Sequence, residues 1–280
     1  MSTRHKPGAV SPVRYVVALL AVVAYALPLY IAILNTFKTN TQIINNPAAL
    51  PAPWTLDNIT RVLFDPNSDL LATLGRTVFI VVSSVVLILL VGSMLGYYVG
   101  RYENRMVRII MLSLLLGLAV PSQVLLIPLT QTLRSVGLLN SYAGLILCNV
   151  GFFVPFTVLI FSRFVRSIPR ELDEAAAIDG AGPLRTFFTV IFPLMRPAAS
   201  SVAIFASVGI WNDFVNPLIL LGPATGTTIM AGLYRTLGQY TSDFGTTFAY
   251  MFLASLPILV LFLVLQRNFI NGLTAGAAKG

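Results

Sequence analysis

The sequence predicts an all-α membrane protein with six transmembrane helices. Hydrophobic residues make up 56% of the 280 residues and charged residues only 10%, a balance too apolar for a soluble globular surface. Several apolar runs each supply the roughly 20 residues that cross about 30 Å of hydrocarbon as a helix. Runs of this length favour helices over the strands of a membrane barrel, which alternate over about ten residues.

The six spans are expected near residues 13–35, 77–100, 108–129, 140–162, 198–221 and 246–266. They define a membrane domain over residues 13–270, between an N-terminal arm (1–12) and a C-terminal tail (271–280). Four prolines inside these ranges predict kinks or breaks, equally consistent with a static or a moving architecture: Pro121, Pro128, Pro155 and Pro217.

The first span also looks like a cleavable signal peptide, because a basic arm and an apolar stretch lead to Ala24-Tyr25-Ala26. Apolar residues continue from Pro28 to Leu34, past the point where cleavage would fall, which favours an uncleaved helix. The segment that follows, from Lys38 to Arg76, reads as an irregular extracytoplasmic loop. It contains one short helix near Leu56 to Phe64, with Thr55 as its N-cap.

Basic residues predict the orientation of the chain. Thirteen of the 18 Lys and Arg residues lie in the two termini and in the second and fourth connections. By the positive-inside rule, these parts are cytoplasmic. The net charge of +8 therefore indicates membrane orientation rather than nucleic-acid binding, because the basic residues lie beside apolar segments.

The fourth connection, residues 167–197, contains a charged helix between two spans. Pro169 suits a first helical turn, and Glu171, Asp173 and Glu174 place negative charge at the positive end of the helix dipole. Gly180 permits a positive φ and, with Gly182 and Pro183, should end the helix after about three turns, or about 15 Å. A solvated surface helix would show the same charges, and docking of a partner is the alternative.

The stretch from Glu174 to Pro193, EAAAIDGAGPLRTFFTVIFP, resembles the EAA signature of binding-protein-dependent ABC importers. Val190 and Phe192 stand where the family has Ile and Leu, and both keep the apolar character. Other pieces are similar to the carbohydrate-importer branch, related to the shorter permease of the maltose transporter: Tyr97 to Arg101, Pro121 to Leu129, Trp211 to Phe214 and Gly272 to Gly280.

The resemblance implies the fold of a type I ABC importer permease in the plasma (inner) membrane of a bacterium or archaeon. It implies three kinds of protein partner besides lipid: a homologous permease subunit, two ATP-binding cassette subunits and an extracytoplasmic solute-binding protein. The residues that would couple to the ATPase subunits are Glu174, Ala175, Ala176, Asp179, Gly180 and Pro193.

No catalytic or cofactor site is expected in this chain. The sequence lacks a G-x-x-x-x-G-K-[ST] phosphate loop, so ATP and Mg²⁺ would be used by the partner ATPase subunits. The only histidine, His5, lies in the N-terminal arm, and the only cysteine, Cys148, lies in an apolar run. These residues give no metal or disulfide framework within the chain.

Polar residues inside the spans are candidates for the transport pathway. Asp213 is the only carboxylate inside an apolar run, and its charge should face the bundle interior or water. Trp211, Asn212, Asn149 and Gln123 could also face a sugar, because aromatic faces and amides suit polyols. The alternative is that these polar groups join helices to one another.

Two other functions are compatible with a polytopic helical protein. A secondary transporter would more often show several intramembrane ionisable groups, and here Asp213 stands alone. A membrane scaffold would have no need of an EAA-type helix. The sequence leaves the transported sugar or polyol undefined.

Overall fold

The structure, a computed structural model, describes residues 12–64, 69–222, 225–239 and 243–277. The predicted N-terminal arm, except Pro12, and the last three residues of the predicted tail lie outside the described residues. The described chain is helical and contains no β-strand. Its α-helices are α1 (Pro12–Thr36), α2 (Asn40–Asn45), α3 (Asp57–Phe64), α4 (Leu70–Arg101), α5 (Arg105–Ala119), α6 (Leu126–Ser135), α7 (Tyr142–Arg166), α8 (Glu171–Ile178), α9 (Pro183–Thr186), α10 (Phe192–Leu194), α11 (Arg196–Asn212), α12 (Val215–Leu220), α13 (Ile229–Gln239) and α14 (Phe244–Ala277).

Four described helices are long and apolar enough to cross a membrane as single spans: Val13–Thr36, Leu70–Arg101, Tyr142–Arg166 and Phe244–Val264. Two bent helix pairs also have the composition of a span, so the described chain has four spans, or six if each bent pair counts as one. The all-α membrane fold predicted from the sequence is confirmed.

The third span, expected as one helix over residues 108–129, is broken. Helix α5 ends at Ala119, a 3₁₀ turn covers Ser122–Leu125, and α6 follows at a bend of 94°. Pro121 lies at the break in an extended conformation, with φ −60° and ψ 134°. Proline has no N–H to donate, and here its extended conformation ends the helical hydrogen-bond ladder.

The fifth span, expected over residues 198–221, is also interrupted. Helix α11 ends at Asn212, and the shorter α12 begins at Val215. The Asp213 carboxylate accepts hydrogen bonds from the N–H groups of Val215 and Asn216, at 3.1 and 3.3 Å. These are the bonds of a helix N-cap, so the aspartate starts a new helix instead of continuing the previous one.

The second bent pair lies upstream of that break. Helices α9 and α10 flank a π-helical turn, Phe187–Ile191, and together they meet α11 at 78°. The 78° bend falls at Met195, two residues before Pro197, which lies in the first turn of α11. The chain that links the charged helix α8 to α11 is therefore helical but sharply bent.

The chain forms two compact units: a smaller unit of residues 1–68 and 236–253, and a larger unit of residues 69–235 and 254–280. In the larger unit α4 packs closely on α7 through three glycines spaced four apart. A Cβ added at Gly92, Gly96 or Gly100 would lie 2.3 to 2.8 Å from a side-chain atom of α7. Small residues at this spacing let two membrane helices approach closely, so α4 and α7 form the rigid centre of this unit.

The smaller unit is held by polar contacts around two charged side chains. Lys38 is buried and donates to the carbonyls of Asn46 and Pro47 at 3.1 and 3.0 Å, and burial lowers the pKa of its amine. Asp243 accepts from Arg61 at 2.6 Å and from the Thr246 hydroxyl at 2.7 Å. These contacts tie the segment after α1 and helix α3 into one body with residues 243–253.

Burial by itself would raise the pKa of Asp243, but its hydrogen bonds outweigh that effect. Thr246 donates through its hydroxyl and its N–H, and Asn40 and Arg61 also favour the ionised form, so the pKa is lowered.

Helix α3 begins one residue after the predicted start, and the Thr55 hydroxyl accepts the N–H of Asp57 at 3.1 Å. Thr55 thus satisfies an N–H at the start of α3, as the sequence indicated.

Candidate functional site

The charged helix between the spans is α8, which is shorter than the sequence indicated. It begins at Glu171 rather than at residues 167–169, and it spans eight residues, or about 12 Å. Arg170 precedes it in a turn after Pro169. The helix therefore has two turns, with all three acidic residues in the first.

The end of α8 has the hydrogen bonds of a Schellman motif. Gly180 has φ +76°, its N–H donates to the carbonyl of Ala177, and the N–H of Ala181 donates to the carbonyl of Ala176. These two hydrogen bonds usually occur together with a left-handed glycine just after the end of a helix. The positive φ predicted for Gly180 is present, and it fixes the direction of the chain into α9.

Helix α8 is tied to the end of α4 by a buried ion pair. A terminal guanidinium nitrogen of Arg101, on α4, lies 2.7 Å from a carboxylate oxygen of Asp173, on α8, and their side chains are 8% and 22% exposed. The hydroxyl of Tyr97, one turn earlier on α4, donates to the other oxygen of Asp173. Both oxygens of this carboxylate thus face side chains of α4.

Arg101 also holds the chain that leads from α7 to α8. Its guanidinium donates to the carbonyl of Val165 at 3.1 Å and to that of Ile168 at 2.9 Å. In return, the guanidinium of Arg170 donates to the carbonyl of Arg101 at 3.2 Å. A single arginine side chain therefore joins the end of α4, the end of α7 and the first turn of α8.

The Tyr97 ring continues this contact toward the bent helices. It packs against the ring of Phe187, with centroids 5.5 Å apart, and Phe187 in turn contacts Phe188 and Phe192. Phe187 is buried and lies in the π-helical turn. We call Tyr97, Arg101, Asp173 and Phe187 the anchor of the segment 167–197, because they connect it to α4.

The same segment also has two strongly exposed apolar side chains. Ile178, the last residue of α8, is 87% exposed, and Leu184, on α9, is 63% exposed. Both side chains extend from a segment whose base is fixed by the anchor. Exposed apolar side chains on a segment held by the anchor are available for contact with a partner protein.

The predicted coupling residues differ in their exposure. Glu174, Ala175, Asp179 and Gly180 are exposed, whereas Ala176 is buried. Pro193 is half-buried in α10, beyond the π-helical turn. Sequence reasoning missed the anchor: Tyr97 and Arg101 were noted for resemblance alone, although their spacing of four residues places them on one helix face.

A second candidate site is a cavity of about 480 Å³ in the larger unit. It lies among α7, α11 and the breaks after α5 and α11. Four of the predicted pathway residues line it: Gln123, Asn149, Asn212 and Asp213. The structure thus brings together residues that are up to 90 positions apart in the sequence.

Trp211 does not line this cavity. Its side chain is 3% exposed and its indole N–H has no hydrogen-bond partner among the described residues. Adjacent residues on a helix point about 100° apart, so Trp211 turns into the protein where Asn212 turns toward the cavity. Trp211 therefore does not share the cavity with Asn212 and Asp213.

Several polar groups of the cavity are already engaged within the protein. The Asn149 amide donates to the hydroxyl of Ser84 on α4 at 3.2 Å, and the Asn212 amide donates to the carbonyl of Val208 at 2.9 Å. Asp213 caps α12 and also accepts from the Asn216 amide at 2.7 Å. The helix-joining interpretation applies to Asn149, while Asp213 stabilises a helix start within its own segment.

Aromatic side chains form the apolar part of the cavity wall. Phe152, Phe153 and Phe156 come from α7 and Phe205 from α11. The rings of Phe156 and Phe205 lie 4.5 Å apart between centroids. A wall of aromatic faces beside amide and carboxylate groups can hold a molecule that has both apolar faces and hydroxyl groups.

The carboxylate, thiol and imidazole groups of the described residues form no cluster of three or more suited to a metal ion.

Comparison with known proteins agrees with this geometry. Residues 92–274 match the family model described as "binding-protein-dependent transport system inner membrane component". The matched range contains α8, its anchor and all the cavity residues named above.

Two curated relatives are similar over nearly the whole chain. The diacetylchitobiose uptake system permease protein NgcG of Streptomyces coelicolor is 34% identical over 258 residues, covering 90% of this chain and 83% of the relative. The multiple sugar-binding transport system permease protein MsmG of Streptococcus mutans is 33% identical over 270 residues, covering 95% and 96%.

A solved structure shows the same fold. A chain of a bacterial ABC transporter involved in the import of the acidic polysaccharide alginate superposes with a TM-score of 0.78 at 19% identity, covering 96% of this chain and 100% of that one. At this identity the similarity shows the fold alone.

Proposed function

The chain belongs to the family of binding-protein-dependent transport system inner membrane components, and we propose that it forms half of the transmembrane pathway of an ATP-driven importer for a sugar or oligosaccharide. Separate ATPase subunits dock on the segment 167–197, and a homologous permease subunit supplies the other half of the pathway. An extracytoplasmic binding protein delivers the substrate.

The observation that carries this proposal is the anchored α8 with its exposed outer face. Ile178 and Leu184 offer an apolar contact to a partner, while the Arg101–Asp173 pair fixes the base of the helix to α4. Since α4 is packed closely on α7, a push on α8 moves the two helices as one body. Binding and hydrolysis of ATP by the partners would thereby rock this half of the pathway.

The sugar class of the substrate is supported by the relatives and by the cavity. Curated relatives are named for uptake of diacetylchitobiose and of multiple sugars. Phenylalanine rings beside Gln123, Asn212 and Asp213 match the alternating apolar faces and hydroxyl groups of a sugar ring. Whether these side chains touch the substrate stays a prediction.

Two further features of the importer are part of the proposal. The termini and the segment 167–197 lie on the cytoplasmic side, which the distribution of basic residues supports. ATP and Mg²⁺ are held by the partner subunits, because this sequence has no phosphate loop.

Purification of the chain from its native membrane in mild detergent tests the proposal. We expect a second permease, ATPase subunits and a binding protein to copurify, and the complex in liposomes to take up labelled sugar only with ATP. Uptake driven by an ion gradient, by the chain without any ATPase, would support the secondary transporter instead. That alternative receives little support from Asp213, whose carboxylate caps a helix.

A further inference from the structure

A second groove in the larger unit lies at the end of the apolar helices, away from the residues of the cavity described above. It has a volume of about 660 Å³, and residues from the first turns of α5 and the last turn of α7 line it. Three arginines project from these turns into its wall: Arg105, Arg108 and Arg166. We call it the arginine groove.

The charge of the arginine groove is not balanced within the described chain. Glu103 is the single acidic side chain of its wall, so the wall carries a net charge of about +2 near neutral pH. The ion pairs found among the described residues involve other arginines, namely Arg61, Arg76 and Arg101. The three guanidiniums of the groove therefore favour an anion.

The groove wall also has an apolar part, which continues along the outside of α5. Met111 and Leu112 line the groove one to two turns beyond the arginines. On the same helix Ile109, which directly follows Arg108, is 55% exposed, and Leu116, about one turn beyond Leu112, is 70% exposed. A charged pocket that opens onto an apolar helix face has the polarity of a phospholipid, which joins a phosphate to hydrocarbon chains.

We propose that the arginine groove binds an anionic phospholipid of the adjacent leaflet. The headgroup phosphate contacts Arg105, Arg108 and Arg166, and the acyl chains lie along Met111, Leu112 and the outer face of α5. Guanidinium groups form paired hydrogen bonds with phosphate oxygens, and basic pockets between membrane helices bind such headgroups. A bound lipid would brace the start of α5 against the end of α7.

The alternative is that these arginines are simply solvated and attract anionic lipid only through their charge. In that case any arginine at the same helix end should contribute equally to attraction of anionic lipid. Arg163 provides the comparison, because it is exposed in the last turn of α7 with Arg166 but does not line the groove.

The test uses the complete transporter complex in nanodiscs that contain phosphatidylglycerol and phosphatidylcholine, with native mass spectrometry to count retained lipids. We expect Arg105→Gln, Arg108→Gln and Arg166→Gln each to lower retention of phosphatidylglycerol by about fivefold. Arg163→Gln should change it by less than about twofold. Assembly of each variant is checked by size-exclusion chromatography.

Two results would overturn the proposal. Equal retention in the wild type and all groove variants, as expected if a partner subunit covers the groove, would remove the site. Equal loss in Arg163→Gln and Arg166→Gln would reduce it to general attraction by charge. Millimolar inorganic phosphate provides a further arm: if it displaces the lipid fully, the groove binds a soluble anion and the acyl chains contribute nothing.

Discussion

Arg101 and Asp173 form a buried ion pair, with a nitrogen and an oxygen 2.7 Å apart, between residues 72 positions apart in the sequence. The pair joins the last turn of α4 to the first turn of α8. Helix α8 is thereby attached to α4, which is one of the most closely packed helices in the larger unit. Several expectations about coupling depend on this pair.

The first concerns the carboxylate of that pair. Asp173→Asn should keep the hydrogen bond from Tyr97 but remove the charge that balances Arg101. We expect a loss of about 1.5–3 kcal/mol in the stability of the anchor, the range for hydrogen bonds to charged groups, and a several-fold fall in sugar uptake per ATP hydrolysed. Uptake and hydrolysis are measured together in proteoliposomes.

Glu171→Gln is the matched control for that experiment. Glu171 is an exposed acidic residue in the same first turn of α8. Its neutralisation removes the same charge near the helix dipole without touching Arg101. If both variants uncouple transport equally, the helix dipole rather than the ion pair is responsible.

The turn after α8 should be sensitive to backbone strain. Gly180 has φ +76°, and a Cβ added there would meet no atom within 4 Å. Gly180→Leu therefore costs backbone strain of about 1–2 kcal/mol without a steric clash. We expect intact membrane insertion with reduced uptake per ATP.

Gly182→Ala controls for the loss of a glycine in the same loop. A Cβ at Gly182 also meets no atom within 4 Å, but its φ is −72°, which any residue adopts. This variant should couple normally. Normal coupling by Gly180→Leu would show that the turn direction is unimportant.

Asp213 is expected to act as a helix cap. Serine can accept the same backbone N–H groups without a charge, whereas alanine cannot. Asp213→Ser should therefore transport nearly as well as the wild type, and Asp213→Ala should lose about 1 kcal/mol of stability. Initial uptake rates over a range of sugar concentrations decide this. A raised KM in both variants with unchanged stability would indicate direct contact with the sugar instead.

The smaller unit should have an acid-sensitive contact at Asp243. The pKa of this carboxyl group is lowered from 3.8 in the folded state, so its stabilising contribution is fully present above about that value. The contribution is lost as the pH falls through the lower folded-state pKa. The protection factor for amide hydrogen exchange at Thr246, which corrects for the intrinsic pH dependence of exchange, should therefore fall only below about pH 4.

Asp243→Asn should abolish that pH dependence of exchange at Thr246. Asp57→Asn, which neutralises an exposed carboxylate of the same unit, should leave it unchanged. Retention of the acid transition in Asp243→Asn would assign it to another group.

The sequence was sufficient for the long helices and the position of α8, because apolar runs and acidic first turns are local properties. It also indicated an irregularity at Pro121, because a proline inside an apolar run predicts a kink or a break. Hydropathy did not distinguish a kink from a break, because the apolar run resumes at Val124. The break at Asp213 was not predicted, because its charge was interpreted as an intramembrane group. In the structure its carboxylate accepts the N–H groups of Val215 and Asn216 at the start of α12.

The anchor and the cavity could be predicted only in part. Gln123, Asn149, Asn212 and Asp213 were chosen as isolated polar residues, and tertiary packing brings them together. The partner of Asp173 could not be inferred, because the pairing of α4 with α8 is set by the fold and not by local spacing. Trp211 was grouped with Asn212 and Asp213 because the three are adjacent in sequence, but its side chain does not point toward the cavity that the other two line.

The central claim is that the exposed end of α8 receives the ATPase. It is tested most directly by the amount of ATPase subunit that copurifies with Ile178→Asp. Ile178 is 87% exposed, so the substitution should not destabilise the chain. Ile44→Asp, at an isoleucine that is 65% exposed on α2, is the control. We predict that Ile178→Asp retains about tenfold less ATPase than the wild type and that Ile44→Asp retains the wild-type amount; equal retention by Ile178→Asp and the wild type would contradict the account.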